Sequence, residues 1–74
     1  MVYTDGVHLI ADTESELHSF AQNIGMRREW YQDNPRHPHY DITSPKILDK
    51  AIRRGAKMID SKQLLKIVNN SNRI

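Results

Sequence analysis

The stretch T-E-S-E-L-H-S-F-A-Q-N-I-G, residues 13–25, decides the fold, because its two ends and its buried face are all readable. Thr13, followed three residues later by Glu16, has the capping-box pattern that begins a helix. Apolar residues then recur at the spacing of one helix face: Leu17, Phe20, Ala21 and Ile24. Gly25 supplies the left-handed residue that ends a helix. The sequence therefore predicts an amphipathic helix between Thr13 and Gly25.

Two further helices are predicted downstream. Ser44 is a good N-cap and Pro45 fits the first helical position, so a second helix begins there and ends at Gly55. Asp60 or Ser61 is expected to cap a last helix. Three residues of the first unit recur thirty positions later: Thr13, Ala21 and Gly25 return as Thr43, Ala51 and Gly55. Three identities are too few to indicate a duplication, but they do indicate two helix–glycine–strand units of similar length.

Short extended segments alternate with these helices. The predicted strands are Val2–Tyr3, Met26–Gln32 and Ala56–Ile59, with 39–42 also extended. Residues 8–11 either lengthen the first strand or pair with it. Because strands that alternate with helices favour a parallel sheet, we expect an α/β fold. The prediction is one small domain over 1–74, with about three short, mostly parallel strands, about three helices and a frayed tail at 69–74.

Length and composition exclude several classes of protein. The chain has 74 residues and no cysteine, which excludes disulfides, thiolate zinc sites and cysteine nucleophiles. No apolar run approaches the ~20 residues needed to span a bilayer, and the first residues lack the features of a signal peptide. We therefore expect a cytoplasmic protein without a membrane partner. A sheet this small leaves edges to cover, so a homodimer is an open prediction.

The net charge of +2 is unevenly distributed. Residues 1–25 carry four acids and no lysine or arginine, whereas residues 26–57 carry eight bases against four acids. A basic middle of this kind can bind phosphates or an acidic partner surface. Ordinary solvation of helix faces explains the same pattern equally well, and both interpretations stay open.

The segment H-P-H-Y-D, which begins at His37, contains the sharpest pattern for chemistry. In an extended chain His37, His39 and Asp41 point to one face, as metal ligands would. Their spacing resembles part of the metal motif of metallo-β-lactamase-type hydrolases, although Ile42 replaces that motif's next histidine and the chain is too short for that fold. The segment predicts a divalent metal bound by those three residues. The alternative is a surface loop with solvated histidines and Tyr40 packed inward.

A wider site is predicted if the sheet is parallel, because Asp5, His8 and the loop at 32–41 then share its carboxyl edge. His39 is the candidate acid/base, with Asp41 and Asp5 orienting it or binding metal. His8 or Asp5 is the candidate fourth ligand. The candidate ligand-binding residues are Arg28, His8, Tyr40 and Gln32.

Arg28 is a candidate because its guanidinium suits bidentate contacts to phosphate or carboxylate. An ion pair with Glu29, Asp33 or Asp41 is the equally good alternative. His18, on the first helix, is interpreted as a residue at the helix surface or boundary.

Motifs spread over nearly the whole chain resemble a small bacterial and phage domain family of unknown function. The most specific of them is the His-Tyr-Asp segment at 39–41. The matching segments are Val2-Tyr3-x-Asp5, His8-Leu9-x-Ala11-Asp12, Glu16-Leu17-His18-x-Phe20-Ala21-x-x-Ile24-Gly25, Arg28-x-Trp30-Tyr31-Gln32, His39-Tyr40-Asp41-Ile42, Gly55-Ala56 and Ser61-x-x-Leu64. The resemblance implies domain boundaries and a site, but no reaction.

Two functions compete at this point. In the first, a polar His/Asp/Arg site binds a phosphorylated or other anionic ligand, with or without a metal, and any catalysis is that of a hydrolase or phosphoesterase. In the second, the chain is a non-catalytic phage accessory protein whose basic middle binds a host protein or nucleic acid. The clustered polar residues favour the first function, and the small size favours the second.

Overall fold

The computed structural model describes residues 1–34 and 38–71, with side chains through Ile67. Within these residues the chain forms three helices and five strands. The strands are β1 (Val2–Thr4), β2 (His8–Ala11), β3 (Tyr31–Gln32), β4 (His39–Asp41) and β5 (Lys57–Met58). The helices are α1 (Glu14–Asn23), α2 (Pro45–Arg53) and α3 (Ser61–Ser71), and a single 3₁₀ turn covers Arg28–Trp30. None of the helices in this part of the chain is long and apolar enough to cross a membrane.

The five strands form one mixed sheet in the order β3-β4-β2-β1-β5. Only the β1–β5 pair is parallel, and the other three pairs are antiparallel. The predicted small α/β class with three helices is confirmed, but the prediction of about three mostly parallel strands is wrong. The expectation that strands alternating with helices form a parallel sheet fails here for two reasons. Strands β1 and β2 form a hairpin before α1, and β4 pairs back onto β2. Only the path from β1 to β5 follows the parallel pattern.

The start of α1 follows the prediction at its backbone. The Thr13 hydroxyl accepts a hydrogen bond from the backbone N–H of Glu16 at 3.1 Å. The Glu16 carboxylate contacts the N-terminal ammonium of Met1 rather than returning to Thr13. Only one of the two hydrogen bonds of a capping box is therefore formed. Glu16 instead links the first turn of α1 to the N-terminus beside β1.

The other two helices begin as their sequences predict. The Ser44 hydroxyl accepts from the backbone N–H of Ile47 at 3.3 Å, with Pro45 in the first turn. Asp60, rather than Ser61, caps α3, because its Oδ1 accepts from the N–H of Gln63 at 2.8 Å.

Helices α1 and α2 end in the same glycine-based motif. Gly25 and Gly55 both adopt positive φ, +85° and +105°. In the Schellman motif, the glycine and the residue after it donate to carbonyls of the last turn. The donor–acceptor pairs are Gly25 to Gln22 (3.1 Å), Met26 to Ala21 (2.9 Å), Gly55 to Ile52 (3.1 Å) and Ala56 to Ala51 (2.9 Å). The Ala-x-x-x-Gly recurrence thus reflects two identical helix ends.

The segment at 26–32 does not form the single strand that its sequence predicts. Met26 is buried, and its N–H is used at the end of α1. The chain then turns, with Trp30 N–H donating to the carbonyl of Arg27 at 3.0 Å. Only Tyr31–Gln32 pairs with the sheet, so the strand is shorter than its aromatic composition indicates.

The sheet is covered on both faces. One face packs against α1 and α2 in the larger core cluster: Val2, Leu9, Leu17, Ala21, Ile24, Met26, Tyr40, Ala51 and Ala56. On the other face, Ile10 packs against Leu64 of α3, with Tyr3, Ile59 and Ile67 beside them. Because Leu9 and Ile10 are adjacent on β2, they point to opposite faces. Helix α3 is the only described helix that packs on the second face.

Candidate functional site

Strand pairing brings four of the predicted site residues to one face of the sheet. His8 of β2 lies opposite Asp41 of β4, and His39 of β4 lies opposite Gln32 of β3. Residues directly opposite each other, or two apart on one strand, share a face. Ile10 is two residues after His8, so this is also the face that packs against α3. The antiparallel register, rather than a parallel carboxyl edge, assembles the site.

Three of these residues form a compact group that we call the His–His–Asp cluster: His8, His39 and Asp41. The imidazole rings of His8 and His39 meet edge to face, with centroids 5.1 Å apart. Nε2 of His39 lies 3.2 Å from Oδ1 of Asp41. One potential ligand atom from each residue lies within 4.8 Å of the other two. The side chain of His39 is 17% exposed and that of Asp41 is 48% exposed, so the cluster is open on one side.

Asp5 holds His8 from the turn between β1 and β2. Its Oδ1 accepts from the backbone N–H groups of Val7 and His8, at 2.9 and 2.8 Å, and its Oδ2 lies 3.1 Å from Nδ1 of His8. The Asp5 side chain is only 8% exposed. Burial alone would raise the pKa of this carboxyl, but the hydrogen bonds outweigh it and hold the pKa below its usual value.

The ionisation of Asp5 fixes the tautomer of His8. A carboxylate only accepts hydrogen bonds, so Nδ1 of His8 carries the proton and donates to Oδ2. The lone pair of Nε2 is then free to face the rest of the His–His–Asp cluster. A carboxylate on the far nitrogen of a metal-binding imidazole is the usual supporting partner in metalloprotein sites. Asp5 lies beside Nδ1 of His8, which is the position of such a supporting partner.

Two of the candidate ligand-binding residues lie away from this cluster. Tyr40 points to the opposite face and is fully buried, with its hydroxyl 2.7 Å from Nδ1 of His18. The guanidinium of Arg28 lies 4.9 Å from the centroid of the Tyr31 ring, and Tyr31 pairs with Tyr40 on that opposite face. The predicted ligand His37 lies outside the described residues. The structure thus brings together His8, His39 and Asp41, with Asp5 behind them and Gln32 beside them.

Sequence reasoning missed the contacts of His18. Burial raises the pKa of Tyr40, so its hydroxyl stays protonated, and it forms a hydrogen bond of 2.7 Å with Nδ1 of His18. Nε2 of His18 then donates to the Glu14 carboxylate at 3.2 Å. The His18 ring also meets that of Tyr31 edge to face, with centroids 4.5 Å apart. The i, i+4 spacing of Glu14 and His18 was the available signal, but the tyrosines come from distant strands.

We expect the contribution of Asp5 to stability to depend on pH. Its carboxyl has a lowered pKa in the folded state, so the stabilisation is present above the ordinary value of 3.8 and is lost as the pH falls through the folded value. Asp5→Asn should lower the free energy of unfolding near pH 6 by about 1–3 kcal/mol. Urea unfolding between pH 2.5 and 7 measures the difference, which should shrink below about pH 3.8.

The matched control for this measurement is Asp33→Asn, which changes an exposed carboxylate. It should leave the unfolding free energy nearly unchanged across the range. A difference between wild type and Asp5→Asn that stays constant down to pH 2.5 would contradict the role assigned to the ionised form.

Comparisons with known proteins give a family and nothing more specific. Neither a search of curated proteins nor a search of solved structures gave a significant match to this chain. A family model described as "Protein of unknown function (DUF4031)" matches residues 4–71, which include the whole His–His–Asp cluster and all the described strands and helices except the first two residues of β1. This chain therefore belongs to the DUF4031 family of proteins of unknown function.

Proposed function

We propose that this protein binds one divalent metal ion through the His–His–Asp cluster and that the metal holds an anionic ligand of the phosphate-ester class. The observation that carries the proposal is the convergence of three potential ligand atoms within 4.8 Å on two paired strands. The buried carboxylate of Asp5 supports it, because its hydrogen bond to Nδ1 leaves Nε2 of His8 as the nitrogen that can bind a metal.

The donor set indicates which metals fit. Two imidazole nitrogens and one carboxylate oxygen suit zinc and other first-row transition metals better than magnesium or calcium. Ligand atoms around tetrahedral zinc lie ~3.3 Å apart for metal–ligand bonds of ~2.0–2.1 Å. The His39–Asp41 distance of 3.2 Å already matches that spacing. Small rotations of the exposed side chains of His8 and Asp41 would bring in the remaining donor.

Three protein ligands leave a metal with an open coordination position, which is the arrangement of catalytic rather than structural sites. A metal in that position polarises a phosphoryl oxygen or lowers the pKa of bound water. If the protein is an enzyme, this chemistry is that of a hydrolase or phosphoesterase. Without a bound metal, His39 beside Asp41 is the acid/base pair that the site offers instead, because both residues are ligands in the metal-bound form. Arg28 contacts Tyr31 instead, so the metal itself is the anion-binding group in this proposal.

Metal titration is the direct test. Wild-type protein is titrated with Zn²⁺ and, separately, with Mn²⁺, by calorimetry and native mass spectrometry. We expect one bound ion per chain and a stabilisation of about 2.7 kcal/mol when the free metal is ~100 times its dissociation constant. Absence of an adduct and of any stabilisation with both ions would contradict the proposal. Hydrolysis of p-nitrophenyl phosphate, with and without EDTA, then tests whether the bound metal is catalytic.

The alternative function remains a proposal with a different test. In it, the chain is a phage or bacterial accessory protein, located in the cytoplasm, whose basic residues 26–57 bind a host protein or nucleic acid. Arg53 in that region is ion-paired with Asp49 at 2.8 Å, and Arg28 contacts an aromatic ring. Charge reversal at Arg54 and Lys57 should abolish a salt-sensitive interaction if this alternative holds.

A further inference from the structure

A separate cleft lies where the C-terminal ends of α1 and α2 meet, and its volume is about 340 Å³. One wall comes from the end of α1 and includes Gln22, Asn23 and Gly25. The other wall comes from the end of α2 and consists of the basic residues Lys50, Arg53 and Arg54. None of these residues belongs to the His–His–Asp cluster. The cleft falls within the range of ~300–1,000 Å³ typical of small-molecule sites.

The cleft carries positive charge that the described residues leave largely uncompensated. Of its three bases, Arg53 pairs with Asp49 at 2.8 Å. Neither Lys50 nor Arg54 forms an ion pair with any carboxylate in the part of the chain that the structure describes. Lys50 is also held close to the opposite wall, since its Nζ lies 4.0 Å from where a Cβ on Gly25 would be. Two cationic groups therefore face the cleft without a fixed counter-charge.

The helix ends account for these basic side chains only in part. Lysine and arginine near a helix C-terminus commonly interact with its last carbonyl groups. Here both helices end in Schellman motifs, and backbone N–H groups already bond the carbonyls of 20–22 in α1 and 50–52 in α2. In α1, the N–H groups of Gly25 and Met26 donate to the carbonyls of Gln22 and Ala21. In α2, Arg54 N–H donates to the carbonyl of Lys50 at 3.0 Å. Those carbonyls therefore do not need the side chains of Lys50 and Arg54 as donors.

We propose that this cleft binds a small phosphate monoester, with Lys50 and Arg54 holding the phosphate and the amides of Gln22 and Asn23 holding its polar body. Arginine and lysine are the standard partners of a phosphate group. The inference does not rest on the proposed metal site.

A nucleic acid is the less suitable occupant. Its backbone needs several aligned cations, and binding of single strands relies on aromatic side chains for base stacking. The cleft has only three basic side chains, all from the end of α2, and no aromatic residue in its lining.

The test is an amide NMR titration with adenosine monophosphate, at constant ionic strength and with EDTA present so that the His–His–Asp cluster holds no metal. We expect saturable shifts at Asn23, Gly25 and Gly55. Adenosine, which lacks the phosphate, should give none. Lys50→Gln combined with Arg54→Gln should weaken binding by about tenfold or more, because it removes both charged groups that hold the phosphate.

Lys57→Gln combined with Lys62→Gln is the matched control, because it removes the same charge from exposed positions outside the cleft. It should change the affinity by less than about threefold. Circular dichroism establishes that both double variants are folded. Equal weakening in both variants, equal binding of adenosine, or shifts centred on His8 and His39 would overturn the inference. Tighter binding of a ten-nucleotide single strand, with shifts beyond the cleft, would also overturn it. None of these results bears on the metal titration.

Discussion

Replacing His39 with alanine is expected to lower the affinity for Zn²⁺ by more than about 100-fold, because a direct ligand contributes more than the 10–100-fold typical of a supporting residue. The fold should survive the change. His39 lies on the face of the sheet opposite the larger core cluster, and its side chain is not part of that cluster. We expect the free energy of unfolding to change by about 1 kcal/mol or less. Calorimetric titration measures the affinity, and urea unfolding measures the stability.

Asp5→Asn supplies a graded comparison in the same titration. An asparagine amide in place of Oδ2 donates to Nδ1 of His8, which moves the ring proton to Nε2 and removes that nitrogen as a ligand. The affinity for Zn²⁺ should fall by about 10–100-fold. Asp49→Asn, at an exposed carboxylate of α2, should leave it unchanged. Wild-type affinity in His39→Ala would place the metal elsewhere, and unfolding of that variant would make His39 a structural residue.

Replacing Tyr40 with alanine is expected to cost about 3–5 kcal/mol of the free energy of unfolding, as for other buried aromatic residues. Tyr40 is 0% exposed and packs against the rings of Tyr31 and His18. Small domains have total stabilities of only ~5–15 kcal/mol, so this variant should be close to unfolded. Thermal and urea unfolding measure the loss.

Tyr40→Phe separates packing from hydrogen bonding. It keeps the ring and removes only the hydroxyl that forms a hydrogen bond with His18, so it should cost about 1 kcal/mol. Its affinity for Zn²⁺ should stay within about threefold of wild type, because Tyr40 lies on the face opposite the His–His–Asp cluster. Loss of metal binding in Tyr40→Phe would place the tyrosine in the binding site.

The helices were predictable because their signals are local. Thr13, Ser44 and the two glycines act on residues no more than a few positions away, so the sequence alone indicates where helices begin and end. The sheet was predicted less well, since its pairing joins residues far apart in the chain. Two of its five strands, β3 and β5, have only two residues each and carry no periodic signal. Their places in the sheet follow from packing.

The candidate site was partly predictable because some of its residues are close together in the sequence. Alternation put His39 and Asp41 on one face, and the expectation of a shared sheet edge put Asp5 near His8, although the parallel sheet behind that expectation was wrong. The register of β2 against β4, which joins these two pairs, has no signature in either segment. The contact of His18 with Tyr40 spans 22 positions, so single-sequence reasoning could identify the residues without seeing the network.

Strand β4 gives the site an unusual kinetic property. His39 and Asp41 flank Tyr40, and that tyrosine is anchored in the core, so the strand cannot open by itself without exposing the core. We expect the amide hydrogens of β4 to exchange with solvent mainly through global unfolding, as in the most protected segments of other proteins. The spatial relation between His39 and Asp41 is then retained through every smaller fluctuation of the native state.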